Sequence, residues 1–187
     1  MERMDLGDGL ELVPLNLSFD AELHLLIEEN RDYLARWLPW ARSQTLAESR
    51  EFLATREAGW AAGTIFTFGL RLDGRLVGTF DCQELDRANH RSQLGYWLAE
   101  RYQGRGIVTR AVRAMTDRVF RELELNRVEI RALPENRRSR AVAERCGFTF
   151  EGILREVVPF YDGYADMAVY SMLRREWPGA GSTPGQR

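Results

Sequence analysis

The chain has 187 residues, of which 44% are apolar and 29% charged, and its formal net charge is −2. These values are typical of a soluble folded protein, and the nearly balanced charge argues against a nucleic-acid-binding surface. The sequence contains no apolar run long enough to span a membrane and no signal-peptide pattern at its start, so we expect no membrane association. Cys82 and Cys146 have neither metal-binding nor redox spacing, which favours a reduced, cytoplasmic protein without a metal ion.

The first third of the chain predicts one strand and two helices. Residues 10–15 alternate weakly and predict a strand. Ser18 is the expected N-cap of the first helix, and the capping-box pattern from Thr45 to Glu48 begins the second. An aromatic segment, residues 36–40, connects the two helices.

The central third is rich in β-structure. Residues 64–71 and 76–82 flank the Asp73-Gly74 turn and predict a hairpin. A polar loop then leads to a further strand that ends at Leu98.

The last third alternates between helices and strands. A helix with an apolar stripe follows Gly106, residues 127–132 predict a short strand, and residues 136–147 predict a helix that Gly147 ends. Two final strands are expected near residues 148–157 and 167–173. The order β-α-α-β-β-β-α-β-α-β-β predicts one α+β domain over residues 8–175, followed by a disordered tail over 178–187.

The segment between Leu98 and the third helix has the strongest functional signal. Gly104 and Gly106 free the backbone to turn tightly, and the unpaired N–H groups of the following helix's first turn favour a phosphate. A dinucleotide fingerprint is excluded because Thr109 occupies its third small position, and a P-loop is excluded because its lysine is missing.

This segment resembles the signature of the GNAT superfamily of acetyl-CoA-dependent N-acetyltransferases, in which Arg101, Gly104 and Gly106 match the motif. Asn136, Ser139 and the Gly147-Phe148 pair resemble that family's second cofactor segment. The resemblance implies a GNAT-type α+β fold, with a mixed, mostly antiparallel sheet of about seven strands and about four helices.

Within that superfamily, the chain resembles the RimJ/RimL branch, which acetylates ribosomal-protein N-termini and related amines. Residues 95–98 before 102–109, the segment 36–40, and residues 162–170 carry this similarity. It extends over about residues 8 to 175.

The resemblance implies roles in binding acetyl-CoA. The backbone amides of residues 103–107 are expected to bind the pyrophosphate. The end of the strand at residues 96–98 is expected to separate from the strand at residues 128–132 and to pair with the pantetheine arm, which Asn136 would hold from the other side. The expected donor-binding residues are Trp97, Leu98, Gln103, Gly104, Arg105, Gly106, Ile107, Thr109, Asn136 and Ser139.

The resemblance also implies catalytic roles. Ser139 is expected to assist the leaving thiolate, and the Leu98 N–H to stabilise the oxyanion. The position of the branch's glutamate is taken by Val158, so the base stays open between Glu129, Glu156 and a route through water or without a base.

Four residues are candidates for binding the acceptor, each with a plainer alternative. Trp37 and Trp40 either line its pocket or belong to the core. His90 either touches the acceptor or lies in a loop, and Asp166 either faces the acceptor or satisfies backbone groups in a turn.

The leading function is therefore acetyl transfer from acetyl-CoA to a primary amine, with a protein N-terminus as the expected acceptor. The first alternative is an acetyltransferase for a polyamine, amino acid or antibiotic, and the second is a non-catalytic coenzyme A sensor. A homodimer stays open.

Overall fold

A computed structural model describes residues 1–179, so the predicted tail lies, from residue 180 onward, outside the described residues. The strands are β1 Met4–Gly7, β2 Leu10–Pro14, β3 Phe66–Leu72, β4 Arg75–Asp86, β5 Arg91–Leu98, β6 Arg127–Ala132, β7 Thr149–Phe160 and β8 Gly163–Leu173. The α-helices are α1 Asp20–Glu29, α2 Arg31–Ala35, α3 Leu46–Ala62, α4 Ile107–Glu122 and α5 Arg137–Arg145. None of the helices within residues 1–179 is long and apolar enough to cross a membrane.

The eight strands form one mixed sheet in the order β1-β2-β3-β4-β5-β6-β8-β7. Strand β5 pairs with β6 in parallel, whereas β1–β2, β2–β3, β3–β4, β6–β8 and β7–β8 are antiparallel. The predicted α+β class is confirmed. The structure adds one strand, β1, and one helix, α2, because segments of four and five residues are too short to show a periodic pattern.

The chain divides into two compact units, which we describe separately. The first unit contains Met1–Gln83 and Tyr96–Ile107, and the second contains Glu84–Gly95 and the chain from Val108 onward. The extent of a single domain over residues 8–175 stays a prediction.

Helices α1 and α3 contribute to a buried cluster of the first unit, whose members include Leu15, Leu23, Leu53 and Leu76. The predicted capping box is confirmed. The Glu48 N–H donates to Thr45 Oγ1 at 3.2 Å, and the Thr45 N–H donates to Glu48 Oε2 at 2.7 Å.

The prediction that Ser18 caps α1 is wrong. The Asn16 side chain accepts the Ser18 N–H at 2.9 Å, which begins a short 3-10 turn at Leu17. Helix α1 then starts at Asp20 without a side-chain cap, because that turn already directs the chain into the helix.

In the second unit, the apolar stripe of α4 is buried as predicted, with Ala111, Val112, Met115 and Val119 at 0% exposure. Helix α5 ends at Arg145, and Gly147 adopts a φ of +80°, so its predicted role as a helix stop is confirmed.

Candidate active site

The predicted pyrophosphate loop lies in the first unit, between a 3-10 turn at Glu100–Tyr102 and the start of α4. Gly104 and Gly106 are exposed and have φ values of +74° and +72°. A Cβ added at either position would meet nothing within 4 Å. The glycines are therefore required by the backbone conformation and not by packing, and they leave the loop surface open.

Two polar side chains hold this loop in place, and sequence reasoning missed both. Buried Asn30 accepts the Glu100 N–H at 3.0 Å and donates to the Leu26 carbonyl at 2.8 Å. The Gln103 side-chain amide donates to the Tyr33 hydroxyl. Asn30 and Tyr33 each lie about 70 positions before the loop residue that they contact, so no local pattern signals them.

The end of β5, with Trp97 and Leu98, rests against β4. The Ala99 N–H donates to the Val77 carbonyl at 2.8 Å, and a Cβ on Gly78 would lie 2.2 Å from the Trp97 carbonyl oxygen. Gly78 therefore allows the strands to approach, which the sequence alone did not indicate.

The predicted separation of residues 96–98 from β6 stays a prediction. The parallel ladder itself lies in the second unit and joins Arg91–Leu94 of β5 to Arg127–Ile130 of β6.

The second cofactor segment forms the N-terminus of α5 in the second unit. The Asn136 side chain is the N-cap and accepts the Ser139 N–H at 3.1 Å, and both residues are partly buried. The structure thus brings these two predicted residues together. Because its Oδ1 is engaged by the helix, Asn136 has its amide N–H groups left for a ligand's carbonyl.

Thr109 occupies the first turn of α4, where it is partly buried. Its carbonyl lies 3.7 Å from the Sγ of Cys146. Burial raises the pKa of the Cys146 thiol to about 11, so this cysteine is not a nucleophile at neutral pH. Residues 1–179 contain no group of three His, Cys, Asp or Glu side chains that could hold a metal ion.

Glu129, the first base candidate, is buried between two arginines of the same strand. Arg127 Nε lies 2.8 Å from its Oε1, and Arg131 Nη2 lies 2.8 Å from its Oε2. Burial opposes ionisation of this carboxyl, but the two arginines outweigh it and keep its pKa below the ordinary value. With both oxygens engaged, Glu129 has the properties of an ion-pair partner and is a weak base.

Glu156, the second base candidate, lies on a bulge of β7. The ladder pairs Leu154 with Met167 and Val158 with Ala165, so three residues of β7 oppose one residue of β8. Glu156 is exposed and has a φ of +50°. Because the bulge breaks the two-residue period, simple alternation does not place Glu156 on the same face as Val158.

Asp166 is the single residue of β8 opposite that bulge. Its Oδ1 accepts the Glu156 N–H at 2.8 Å. This contact fits the plainer alternative, in which Asp166 satisfies backbone groups, and its contact with an acceptor stays a prediction.

The two tryptophans of the connector lie in the first unit. Trp40 is 40% exposed, and its ring lies 6.4 Å from that of Trp97. Trp37 is partly buried, and its Nε1 is buried without a hydrogen-bond partner among residues 1–179. A tryptophan N–H usually has a partner when buried, and the described residues supply none for this donor.

His90 is exposed in the turn before β5. Its carbonyl accepts the N–H groups of Asn126 and Arg127 at 2.8 and 3.1 Å. The eight residues of β5, about 26 Å of extended chain, separate His90 from the end of the strand at Leu98. This separation disfavours His90 as a contact of an amine at that end.

Comparisons with known proteins agree with this fold. The sequence profile of the acetyltransferase (GNAT) domain matches residues 10–149. YdaF of Bacillus subtilis, provisionally named a ribosomal N-acetyltransferase, is 39% identical over 163 residues, which cover 86% of this chain and 89% of YdaF.

Two further relatives have more specific names. The ribosomal-protein-serine acetyltransferase of Escherichia coli is 27% identical, with 92% of this chain and 97% of that protein covered. The solved structure of RimL, a ribosomal L7/L12 α-N-protein acetyltransferase in complex with coenzyme A, has a TM-score of 0.87 at 25% identity and covers 92% of this chain and 98% of RimL.

Proposed function

The chain belongs to the GNAT acetyltransferase family and is an acetyl-CoA-dependent N-acetyltransferase, and we propose that its acceptor is the α-amine of a protein N-terminus. The open loop at residues 103–107, in which two glycines with positive φ precede α4, supports binding of the acetyl-CoA donor. The names of its relatives favour a ribosomal protein as the acceptor.

We propose that this loop binds the pyrophosphate of acetyl-CoA through its backbone amides. Unpaired N–H groups at the start of a helix, with the positive end of the helix dipole behind them, favour a phosphate. Thr109 supplies a hydroxyl from the first turn of α4. The backbone of Trp97 and Leu98 and the Asn136 side chain bind the amide groups of the pantetheine arm.

The reaction is a direct attack by a neutral amine on the thioester carbonyl carbon. An α-amine has a pKa of about 8, so a useful fraction is already neutral near pH 7. The C–S bond of the tetrahedral intermediate breaks, and Ser139 donates a proton or hydrogen bond to the leaving thiolate. The nitrogen loses one proton to water as the amide forms, and Ser139 regains from water any proton that it has donated. The Leu98 N–H stabilises the oxyanion that forms in between.

Thiol release from acetyl-CoA tests the acceptor class. We expect release with peptides that begin with serine or alanine and none with the same peptides acetylated at the N-terminus. Release only with polyamines, amino acids or antibiotics would support the small-molecule alternative. Binding of coenzyme A without release from any amine would support the sensor.

Ser139→Ala tests the proposed thiolate step. We expect a lower kcat with an unchanged affinity for acetyl-CoA, because the hydroxyl acts on the leaving group. Since the backbone N–H of Ser139 bonds to Asn136, the substitution keeps the helix cap. Equal kcat in the variant would remove Ser139 from the mechanism.

The compartment and the assembly state are also parts of the proposal. We place the reaction in the cytoplasm, where ribosomal proteins are made and where the free thiols of Cys82 and Cys146 stay reduced. A homodimer stays a prediction, which light scattering of the purified chain would test.

A further inference from the structure

Asp81 of β4 lies on the same sheet face as the end of β5. The β3–β4 ladder pairs it with Thr67, whose hydroxyl donates to Asp81 Oδ1. Gly69, two residues further along β3, faces the same side, and a Cβ there would lie 2.6 Å from the Leu76 side chain. Leu76 belongs to the buried cluster on which Trp97 packs. Asp81 and Trp97 therefore share one face in the first unit.

One oxygen of this carboxylate is unused. Thr67 engages Oδ1, and within residues 1–179 no hydrogen bond or ion pair reaches Oδ2. Arg56 of α3 is the charged group that acts on Asp81, through its charge and without a hydrogen bond. The Arg56 guanidinium instead lies over the Phe52 ring, 4.7 Å from its centroid.

A carboxylate with one free oxygen in a partly buried position is costly for a folded protein. Burial, only partly offset by the Thr67 hydroxyl and the Arg56 charge, raises the pKa of Asp81 above its ordinary value. A cationic group that binds the free oxygen would remove this cost. The paired rings of Trp40 and Trp97 offer the aromatic surface that also favours a cation.

Building on the proposed function, we propose that Asp81 receives the ammonium group of the acceptor and takes its proton. The ammonium donates a hydrogen bond to Oδ2. One N–H bond breaks as the carboxylate becomes a carboxylic acid, and the neutral amine is free to attack the thioester carbon. The acid afterwards returns the proton to water. This assignment supplies the base that Glu129, engaged by two arginines, does not.

Asp81→Asn is the decisive variant. Asparagine keeps an oxygen for the Thr67 hydroxyl but cannot take a proton. We expect kcat/KM for a serine-starting peptide to fall about tenfold at pH 7, because only about a tenth of an α-amine with a pKa of about 8 is neutral at that pH without a base. The KM for acetyl-CoA should not rise, and the melting temperature should not fall. The defect should shrink towards pH 9, where the free amine loses its proton without help.

Glu84→Gln is the matched control, because it makes the same charge change at an exposed residue of the same strand. It should retain wild-type kcat/KM. Thr67→Val is the second variant: it keeps the carboxylate but removes its hydrogen bond, so the pKa of Asp81 and the acid limb of the kcat/KM profile should move to higher pH.

Three results for Asp81→Asn would overturn the inference: a wild-type kcat/KM at pH 7, a loss of kcat/KM that is equal at pH 7 and pH 9, or weakened acetyl-CoA binding. An acid limb of the kcat/KM profile that does not move in Thr67→Val would also overturn it. These outcomes leave the proposed function intact, since they require an active wild-type enzyme. A wild-type enzyme that acetylates no peptide would instead overturn the proposed function and the inference together.

Discussion

Replacing Gly104 by valine should weaken acetyl-CoA binding far more than it destabilises the fold. Gly104 has a φ of +74°, and its missing Cβ faces open space, so the valine side chain would project into the volume proposed for the pyrophosphate. Gly74, in the β3–β4 turn, is a close structural match. Its φ is +78°, and the nearest atom to an added Cβ is an Arg71 side-chain nitrogen at 3.8 Å.

The same backbone strain should therefore destabilise both variants. A β-branched residue in the left-handed region costs about 1–2 kcal/mol. For a chain of this size each kcal/mol lowers the melting temperature by about 2–4 °C, so we expect both to lose about 2–8 °C. Only Gly104→Val should also lose one hydrogen bond to a charged phosphate, worth about 1.5–3 kcal/mol, which corresponds to a roughly ten- to hundredfold weaker Kd.

Calorimetric titration with coenzyme A and thermal unfolding of both variants measure these two quantities. The reasoning is refuted if Gly104→Val binds coenzyme A with the wild-type Kd. It is also refuted if Gly74→Val weakens binding as much, because the effect would then be general strain and not a local contact.

Two further predictions concern the support of the loop and the effect of acid. Asn30→Ala leaves the Glu100 N–H and the Leu26 carbonyl without their partner, so the free energy of unfolding should fall by about 1–3 kcal/mol. The KM for acetyl-CoA should rise while kcat is retained. An unchanged KM would contradict this role of Asn30. The hydrogen bonds from Arg127 lower the pKa of Glu151 from 4.5 to about 2, so its contribution to stability is complete above pH 4.5 and is lost as the pH falls towards 2. The melting temperatures of wild type and Glu151→Gln should accordingly differ near pH 6 and converge below pH 4.5. A difference in melting temperature that does not change with pH would show that the ion pair between Glu151 and Arg127 does not cause it.

Several features of this protein could be predicted from the sequence because their causes are local. The capping box at Thr45 and the helix stop at Gly147 each depend on a few neighbouring residues. The buried stripe of α4 depends only on a 3.6-residue period. The conformation of Gly104 and Gly106 follows from the turn that joins β5 to α4.

Other features were decided by contacts between distant parts of the chain. The alternation of side chains along β6 places Arg127 and Arg131 on the same face as Glu129. The burial that strengthens their interaction with Glu129 comes from the neighbouring strands β5 and β8. The bulge at Glu156 exists only in the register of β7 with β8, and it changes the face of a candidate base.

The sequence by itself determined the family and the turn proposed to bind the donor, since short motifs and periodic patterns are written within a few residues. Tertiary structure alone decided which carboxylate has a free oxygen, because Asp81 meets Thr67 across a strand pairing, whereas Glu129 meets two arginines in the interior. Burial and the contacts between strands are set by strand register and by packing, and no local pattern encodes them.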